Sequence, residues 1–544
     1  MRIPVIHTVA PAILTLPAAA QAPVLPVDTL TDPGASVGDQ VGQSLSLDAS
    51  HLCAGAPLGD GTFSNEGLVL IWDRPSLSGS APTELTSPMP RSSGQFGAAV
   101  ELSGTDLFIG ELQADVLGSP LRGAVHVYAE QGGGWMLVDS IGSPNSGPTD
   151  FGASLARDGG WLVVGEPRLS GQFNQEGAAH VYRLTSGTWQ LETTLTASDP
   201  GLFARFGTDV AIDGERILVG APQRRNGSVI EGAAYAFELI GGSWIETGRL
   251  TIEGGSGDQG FGRSVAIDGT TAVVGSGRMN QRGSAYVFED AGPSWSQQLR
   301  LQPDSLSATA MFGSDVAIEG DALLVGCSQD NVLSTASGSG WLFERDGGSW
   351  APSVRFVADP INRLLGDTVA LDGAGTYALG EPSLWANGIT TSGAIRVFEA
   401  GDVVGMNYCS AVPNSTGVAG GIAALGSNVV AEGRLELIAY DLPDNAFGFF
   451  LTSRMQGLVN QPGGSQGVLC LGGSIGRYVG AGQIRNSGVE GFFSLELDLS
   501  NTPTPTGLVQ VVPGETWNFQ TWHRDSVAGQ ATSNFTNATT IVFQ

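Results

Sequence analysis

One sentence of residues, written seven times, constrains this chain more than any other feature. Its anchor glycine falls at Gly42, Gly97, Gly152, Gly207, Gly262, Gly313 and Gly366, spaced by 55 residues four times and then by 51 and 53. The residue before it is Val41, Phe96, Phe151, Phe206, Phe261, Phe312 or Leu365. About thirteen residues later come "AGAP", "IGEL", "VGEP", "VGAP", "VGSG", "VGCS" and "LGEP". A third block follows, as in "GAVHVY", "GAAHVY", "GAAYAF", "GSAYVF", "GSGWLF" and "GAIRVF". In copies two to six a fourth opens with "GGGW", "SGTW", "GGSW", "GPSW" or "GGSW". Each block is short and either alternating or wholly apolar, which is the pattern of a strand. Asp158-Gly159, Asp213-Gly214, Asp268-Gly269 and Asp372-Gly373 separate the first two blocks, and Asp-Gly favours a two-residue hairpin.

Four antiparallel strands in a unit of this length make a propeller blade. A lone blade leaves both sheet faces apolar, so the copies must bury one another, and seven close a ring. Copy seven lacks a fourth block and runs from "GAIRVFEA" into "GDVVGMNYC". Before copy one, "PVLPVDTLTDP" matches the "WQLETTLTASDP" that starts at Trp189. Residues near Val24 to Leu30 are therefore expected to supply the last blade's missing strand, which leaves no open edge. The expected fold is all-β: a seven-bladed β-propeller over residues 21–400, a linker over 401–415 and a β-sandwich-like domain over 416–544.

With these residues in view, the chain resembles the FG-GAP repeat family, known from the propeller head of integrin α chains. The likeness spans roughly Val24 to Ala400, and Phe206-Gly207 with Gly220-Ala221-Pro222 carries the motif most cleanly. It implies a binding or adhesion role for the propeller. Integrin-like members hold calcium in a D-x-D-x-D-G hairpin loop. The matching turns here read "AIDGER", "AIDGTT", "AIEGDA" and "ALDGAG", with too few carboxylates for that loop. The chain is closer to the metal-poor bacterial variant, and no cofactor is expected.

Composition narrows the partners. The 544 residues include 80 Gly, too many for long helices. Fifty-three acidic residues stand against 25 basic ones, all Arg, for a net charge of −28. Such a chain is a poor partner for nucleic acid, whose binding relies on neutralising phosphates. Arg2, the apolar "VIHTVAPAILTLPAAA" and Ala18-x-Ala20 read as a secretory leader over residues 1–20. No later segment is apolar for long enough to span a bilayer. Cys409 and Cys470 are candidates for a disulfide in an oxidising compartment. Cys53 and Cys327 lie at strand positions of two repeats and read as buried thiols.

Beyond Asn407 the period is lost. "RLELIAYDL", "AFGFFLTS", "GVLCLGG", "GFFSLELDL", "TGLVQVVP", "TWNFQTWHRD" and "TTIVFQ" then suggest a sandwich. It resembles a C-terminal module of secreted bacterial proteins, to which no activity attaches.

Catalytic candidates are few. His126 and His180 share one repeat position with Tyr286 and Trp341, and read as packing residues. His523 lies in "WHRD", where a strand-end ion pair is expected. Neither a G-x-S-x-G elbow, a P-loop nor H-E-x-x-H is present. Glu111, Glu166 and Glu381 replace the Ala of "GAP" in copies two, three and seven. Repeat symmetry sets them at one height, a candidate cation cluster if they face the channel; separate solvated carboxylates or pairs with Arg are the alternative. Arg224 and Arg225 read as an exposed basic pair on a variable loop, where partner binding is sought. Trp189, Trp244, Trp295 and Trp350 recur as blade packing. The leading expectation is a monomeric, non-enzymatic, secreted or surface protein that presents loops to an extracellular protein or glycan. A carbohydrate-binding propeller and a channel-based enzyme are the alternatives.

Overall fold

The computed structural model describes residues 12–14 and 23–544, apart from 25, 27, 35, 37, 75–76, 78–80, 115–121, 254–259, 280, 293, 304–305, 332–336, 359–363, 383–391, 400–403 and 489–490. The leader read over residues 1–20 lies outside the described residues except for Ala12–Leu14.

In repeats one to six the four blocks pair antiparallel in chain order within one sheet. Blade three consists of Leu155–Asp158, Trp161–Glu166, Ala178–Thr185 and Thr188–Leu195. Blade four consists of Val210–Asp213, Arg216–Ala221, Ala233–Ile240 and Ser243–Leu250. The two middle strands of blade four are buried almost throughout, which is why they read as unbroken apolar runs. The fourth strand alternates between half-buried and exposed because it lies at the rim. Ala156, Val163 and Val181 of blade three pack with Phe206, Val219, Tyr235 and Phe237 of blade four in one apolar layer between the sheets. Phe96, Phe151, Phe206, Phe261 and Phe312 are fully buried. Each such side chain contributes roughly 2–3 kcal/mol by leaving water.

The first strands of successive blades contact one another in order. Val369–Leu371 of blade seven contacts Ser44–Leu47 of blade one, so the sheets form a closed ring. Its joints explain both glycines of the repeat. The first, as in Gly207 and Gly262, has φ of 84° and 87°, a left-handed conformation that favours Gly. The second, as in Gly220, faces the carbonyl of the next blade's first glycine, here Gly262, so closely that a Cβ would collide with it. All seven joints repeat this approach, including Gly380 against Gly42, where the last blade meets the first. Asp28–Leu30 pairs antiparallel with Ala394–Glu399 as the outer strand of blade seven. Pro23–Val24, expected within that strand, instead pairs in parallel with the rim strand of blade six, Ser349–Phe356.

The C-terminal unit has two main sheets. Met406–Tyr408, Gln530–Val542, Thr516–Val527, Phe447–Ser453 and Gly476–Arg477 form the larger in that order, and Arg485–Asn486 also pairs with Phe447–Ser453. Gly421–Gly426, Leu435–Tyr440 and Phe493–Glu496 form the smaller. Ile422, Leu437, Phe450, Trp517 and Phe519 belong to one buried cluster shared by the two. Met406–Tyr408 falls inside the stretch read as linker, because its pairing with Gln530–Val542 draws it into the larger sheet. Cys409 and Cys470 are joined by a disulfide, while Cys53 and Cys327 are free and buried. No described helix is long and apolar enough to cross a membrane.

Candidate binding face

Strand direction gives the ring two unlike faces. One carries the tight turns between strands one and two, such as Asp213-Gly214, and between three and four, such as Gly241-Gly242. The other carries the connections between strands two and three, at 57–67, 112–123, 167–177, 222–232, 276–284, 328–338 and 382–393, together with the links between blades. The described loops of blades one and three are held by hydrogen bonds. The Glu66 carboxylate accepts the N–H of Phe63 at 2.8 Å. Glu176 accepts those of Gln172 and Phe173 at 2.8 and 3.0 Å. The backbone N–H groups of Phe203, Arg205 and Phe206 donate to the carbonyls of Asn174, Gln175 and Glu176, tying each link to the loop beside it.

Beneath this face, blades two, three and seven share a slot at the end of the second strand. The three expected cation ligands occupy it, but the structure does not bring them together. Glu111 and Glu166 are fully buried and Glu381 nearly so. Each is engaged locally, Glu111 by Ser87 Oγ at 2.8 Å and His126 Nε2 at 3.0 Å. Glu381 meets Arg396 Nε at 3.1 Å. Glu166 has four partners: Ser143 Oγ, Asn145 Nδ2, Thr149 Oγ1 and His180 Nε2, at 2.6, 2.7, 2.5 and 2.7 Å. Burial alone would push the Glu166 carboxyl up, but the bonds from His180, Ser143 and Thr149 outweigh it and hold it below its ordinary value. Ser87 and Ser143 belong to the preceding inter-blade link, so these carboxylates rivet neighbouring blades. Among the described residues no group of three His, Cys, Asp or Glu is placed to hold a metal ion.

The imidazoles do more than pack. His126 lies 5.7 Å from Phe96 between ring centres, and His180 lies 5.6 Å from Phe151. Their Nδ1 atoms lie 2.9 Å from Ser140 Oγ and 3.0 Å from Thr194 Oγ1. The resulting carboxylate–imidazole–hydroxyl rows have the order of a proton relay. Their buried placement, repeated in two blades, makes them struts between the second, third and fourth strands.

Blade four fills the same region differently. Ala221 stands in place of the glutamate, and Asp199 of the inter-blade link supplies the carboxylate. It accepts Tyr235 Oη at 2.5 Å and the guanidiniums of Arg224 and Arg249 at 2.7 Å each. Arg224 is thereby corrected from an exposed residue to one whose side chain is only 11% exposed. Arg225 is exposed, on the small hairpin Arg225–Asn226 with Val229–Ile230. Blade six repeats the theme with Asp330, which takes Arg355 at 2.6 Å and Ser339 Oγ at 2.9 Å. His523, expected at a strand-end ion pair, is fully buried; burial pushes its imidazole down, and Nδ1 lies 3.1 Å from the Arg524 carbonyl.

A family model described as FG-GAP repeat matches residues 189–237, 244–288 and 295–343. The chain carries FG-GAP repeats. Each match starts in the rim strand of one blade and ends in the third strand of the next, so the FG-GAP unit encloses the joint and its slot. No curated protein matches the sequence. Among solved structures, the chain is similar to a putative 6-phosphogluconolactonase from Bacteroides uniformis ATCC 8492, at 11% identity over 59% of this chain and 86% of that one, with a TM-score of 0.41. A putative 6-phosphogluconolactonase from Bacteroides fragilis NCTC 9343 gives 13% identity over 59% and 85%, with a TM-score of 0.40. Asp199, Tyr235 and Asp330 within the matched units, and Arg396 in blade seven, were not singled out from the sequence. A signal was available: Glu at the second-strand end travels with His or Arg at the third-strand position, as in Glu111 with His126, Glu166 with His180 and Glu381 with Arg396.

Proposed function

We propose that this is a non-enzymatic binding protein of the cell exterior, and that its loop face engages an extracellular protein. The observation that carries the reading is the asymmetry of the ring. The long, variable connections emerge on one face, where those of blades one, three and four are tied down by backbone and carboxylate bonds, while the other face holds tight turns. Loops held on a rigid scaffold are the usual seat of recognition. Export is supported by the disulfide between Cys409 and Cys470, which needs an oxidising compartment to persist.

The sugar-binding alternative loses support because the repeated tryptophans are used between blades. Trp189 packs edge-on against Phe108 at 5.5 Å and Trp244 against Trp161 at 5.4 Å, while Trp350 is buried. The test is crosslinking of the intact chain to the outer surface of its native cells, followed by mapping of the joined residues. Crosslinks are expected at 57–67, 167–177 and 222–232. Crosslinks confined to the turn face, or turnover on a panel of esters and glycosides, would reject the reading.

A further inference from the structure

Among the described residues, the exposed large apolar side chains of the loop face are unevenly placed. Apart from Phe63 on blade one, they lie between the link into blade four and the loop of blade five: Leu202 at 49% exposure, Phe203 at 37%, Val229 at 55% and Met279 at 65%. The sector is continuous. Gln223 N–H bonds to the Ala204 carbonyl, joining the link to the blade-four loop. Gly232 bridges to Phe261, and Arg278 stands against Gly260, joining that loop to blade five.

Two further observations set this sector apart. Phe203 has φ of 59°, a left-handed conformation rarely adopted by a bulky residue, held by its N–H bond to Asn174 at 2.8 Å. Ser93 occupies the equivalent place before blade two with the same φ and a matching bond to Ser64, so the turn accepts a small polar residue. An aromatic there adds apolar surface facing solvent. Moreover, Arg225 and Arg278 are exposed and, among the described residues, have no carboxylate partner, in a chain of net charge −28.

Resting on the reading of the loop face as the binding face, we infer that the sector of Leu202, Phe203, Arg225, Val229, Arg278 and Met279 docks an acidic protein segment that also presents apolar side chains. Two guanidiniums without a carboxylate partner among the described residues, one of them resting on the Ser228 carbonyl at 3.2 Å, offer the counter-charge, and the surrounding negative surface repels an anionic segment elsewhere, which orients its approach. The apolar residues supply the area to be desolvated, with Arg at its margin. A glycan is the poorer occupant, since a single aromatic ring faces solvent in this sector.

The experiment titrates the intact chain into a fluorescent peptide of alternating Glu and Leu and follows anisotropy. Wild type should bind, and raised salt should weaken it. Arg225→Glu with Arg278→Glu, and separately Phe203→Ser with Met279→Ser, should each weaken binding about tenfold or more. The substituted side chains face solvent, so unchanged unfolding midpoints are the control for folding. No binding by wild type, equal binding of a Ser-Leu peptide, or unchanged affinity in the charge-reversed variant overturns the inference. So does stronger binding of polygalacturonate than of the acidic peptide. Any of these failures with native crosslinks still on the loop face removes this inference alone; crosslinks only on the turn face remove both readings.

Discussion

In blade three the slot beneath the loop face is filled from within: Glu166 on the second strand, His180 on the third and Thr194 on the fourth stand in one row. In blade four the strand contributes only Ala221, and the carboxylate arrives from outside, as Asp199 on the preceding link. Both blades nevertheless leave one carboxylate among several donors at that level. The backbone at these two joints thus encloses a polar, hydrogen-bonded space, and residue identity inside it is free to change if the donors and acceptors still balance.

The sharpest way to break this comparison is to attack what both blades share. Gly165→Val and Gly220→Val should each cost more than about 4 kcal/mol and abolish soluble folded protein, because the new side chain enters the next blade's backbone. Yield and far-ultraviolet circular dichroism report it, and a well-folded Gly220→Val protein would refute the account of the joint. Next comes the strut of blade three. His180→Leu strands a buried carboxylate and should cost about 3–5 kcal/mol in denaturant unfolding.

A finer comparison sets blade three against blade two. Both oxygens of Glu166 receive donors, whereas Glu111 Oε1 is buried without a partner among the described residues. Glu166→Gln should therefore cost about 2–3 kcal/mol by turning an amide donor toward other donors, and Glu111→Gln less than about 1 kcal/mol. Equal penalties would mean that donor counting does not govern the slot. In blade four, Tyr235→Phe removes one of three donors to a partly exposed Asp199 and should cost about 1 kcal/mol.

The smallest effect is a pair of opposite pH slopes. Glu166 of blade three is held below its ordinary value, so its contribution is present at neutral pH and lost on acidification through its folded pKa. Asp209, immediately before the inner strand of blade four, is pushed up to about 6 by burial, against the backbone bonds from Val265 and Val210. The native state then binds the proton more tightly than the unfolded one. Its contribution is full below the ordinary carboxylate value and lost as pH rises through about 6. Asp315 of blade six behaves alike, pushed up to about 7 by burial and then by the charge of Asp209. Unfolding midpoints between pH 5 and 8 should fall more steeply in wild type than in Asp209→Asn; identical slopes would remove the assignment.

The blades were legible because their signal is redundant: a spacing of 51 to 55 residues fixes seven sheets even where two copies lack the Phe, at Val41 and Leu365. The slot was only half legible. Glu111, Glu166 and Glu381 stood out by position, but the side to which a side chain turns depends on the inter-blade link, whose residues, Ser143 and Asp199 among them, follow no period. Arg224 misled for the same reason, since a loop cation reads as exposed until the carboxylate that captures it is placed. The sandwich was visible as alternating runs, but its start at Met406 was not, because a three-residue edge strand carries too little pattern to separate it from a linker.

The pairing of Asp28–Leu30 with Ala394–Glu399 has a consequence in time. A ribosome makes the earlier segment first, yet the complement it needs emerges only when nearly the whole propeller has been synthesised. Until then the nascent molecule is an open arc with an unpaired tail, exposed to wrong neighbours. Its final closure waits on contacts of extreme sequence separation, the kind that make folding slow.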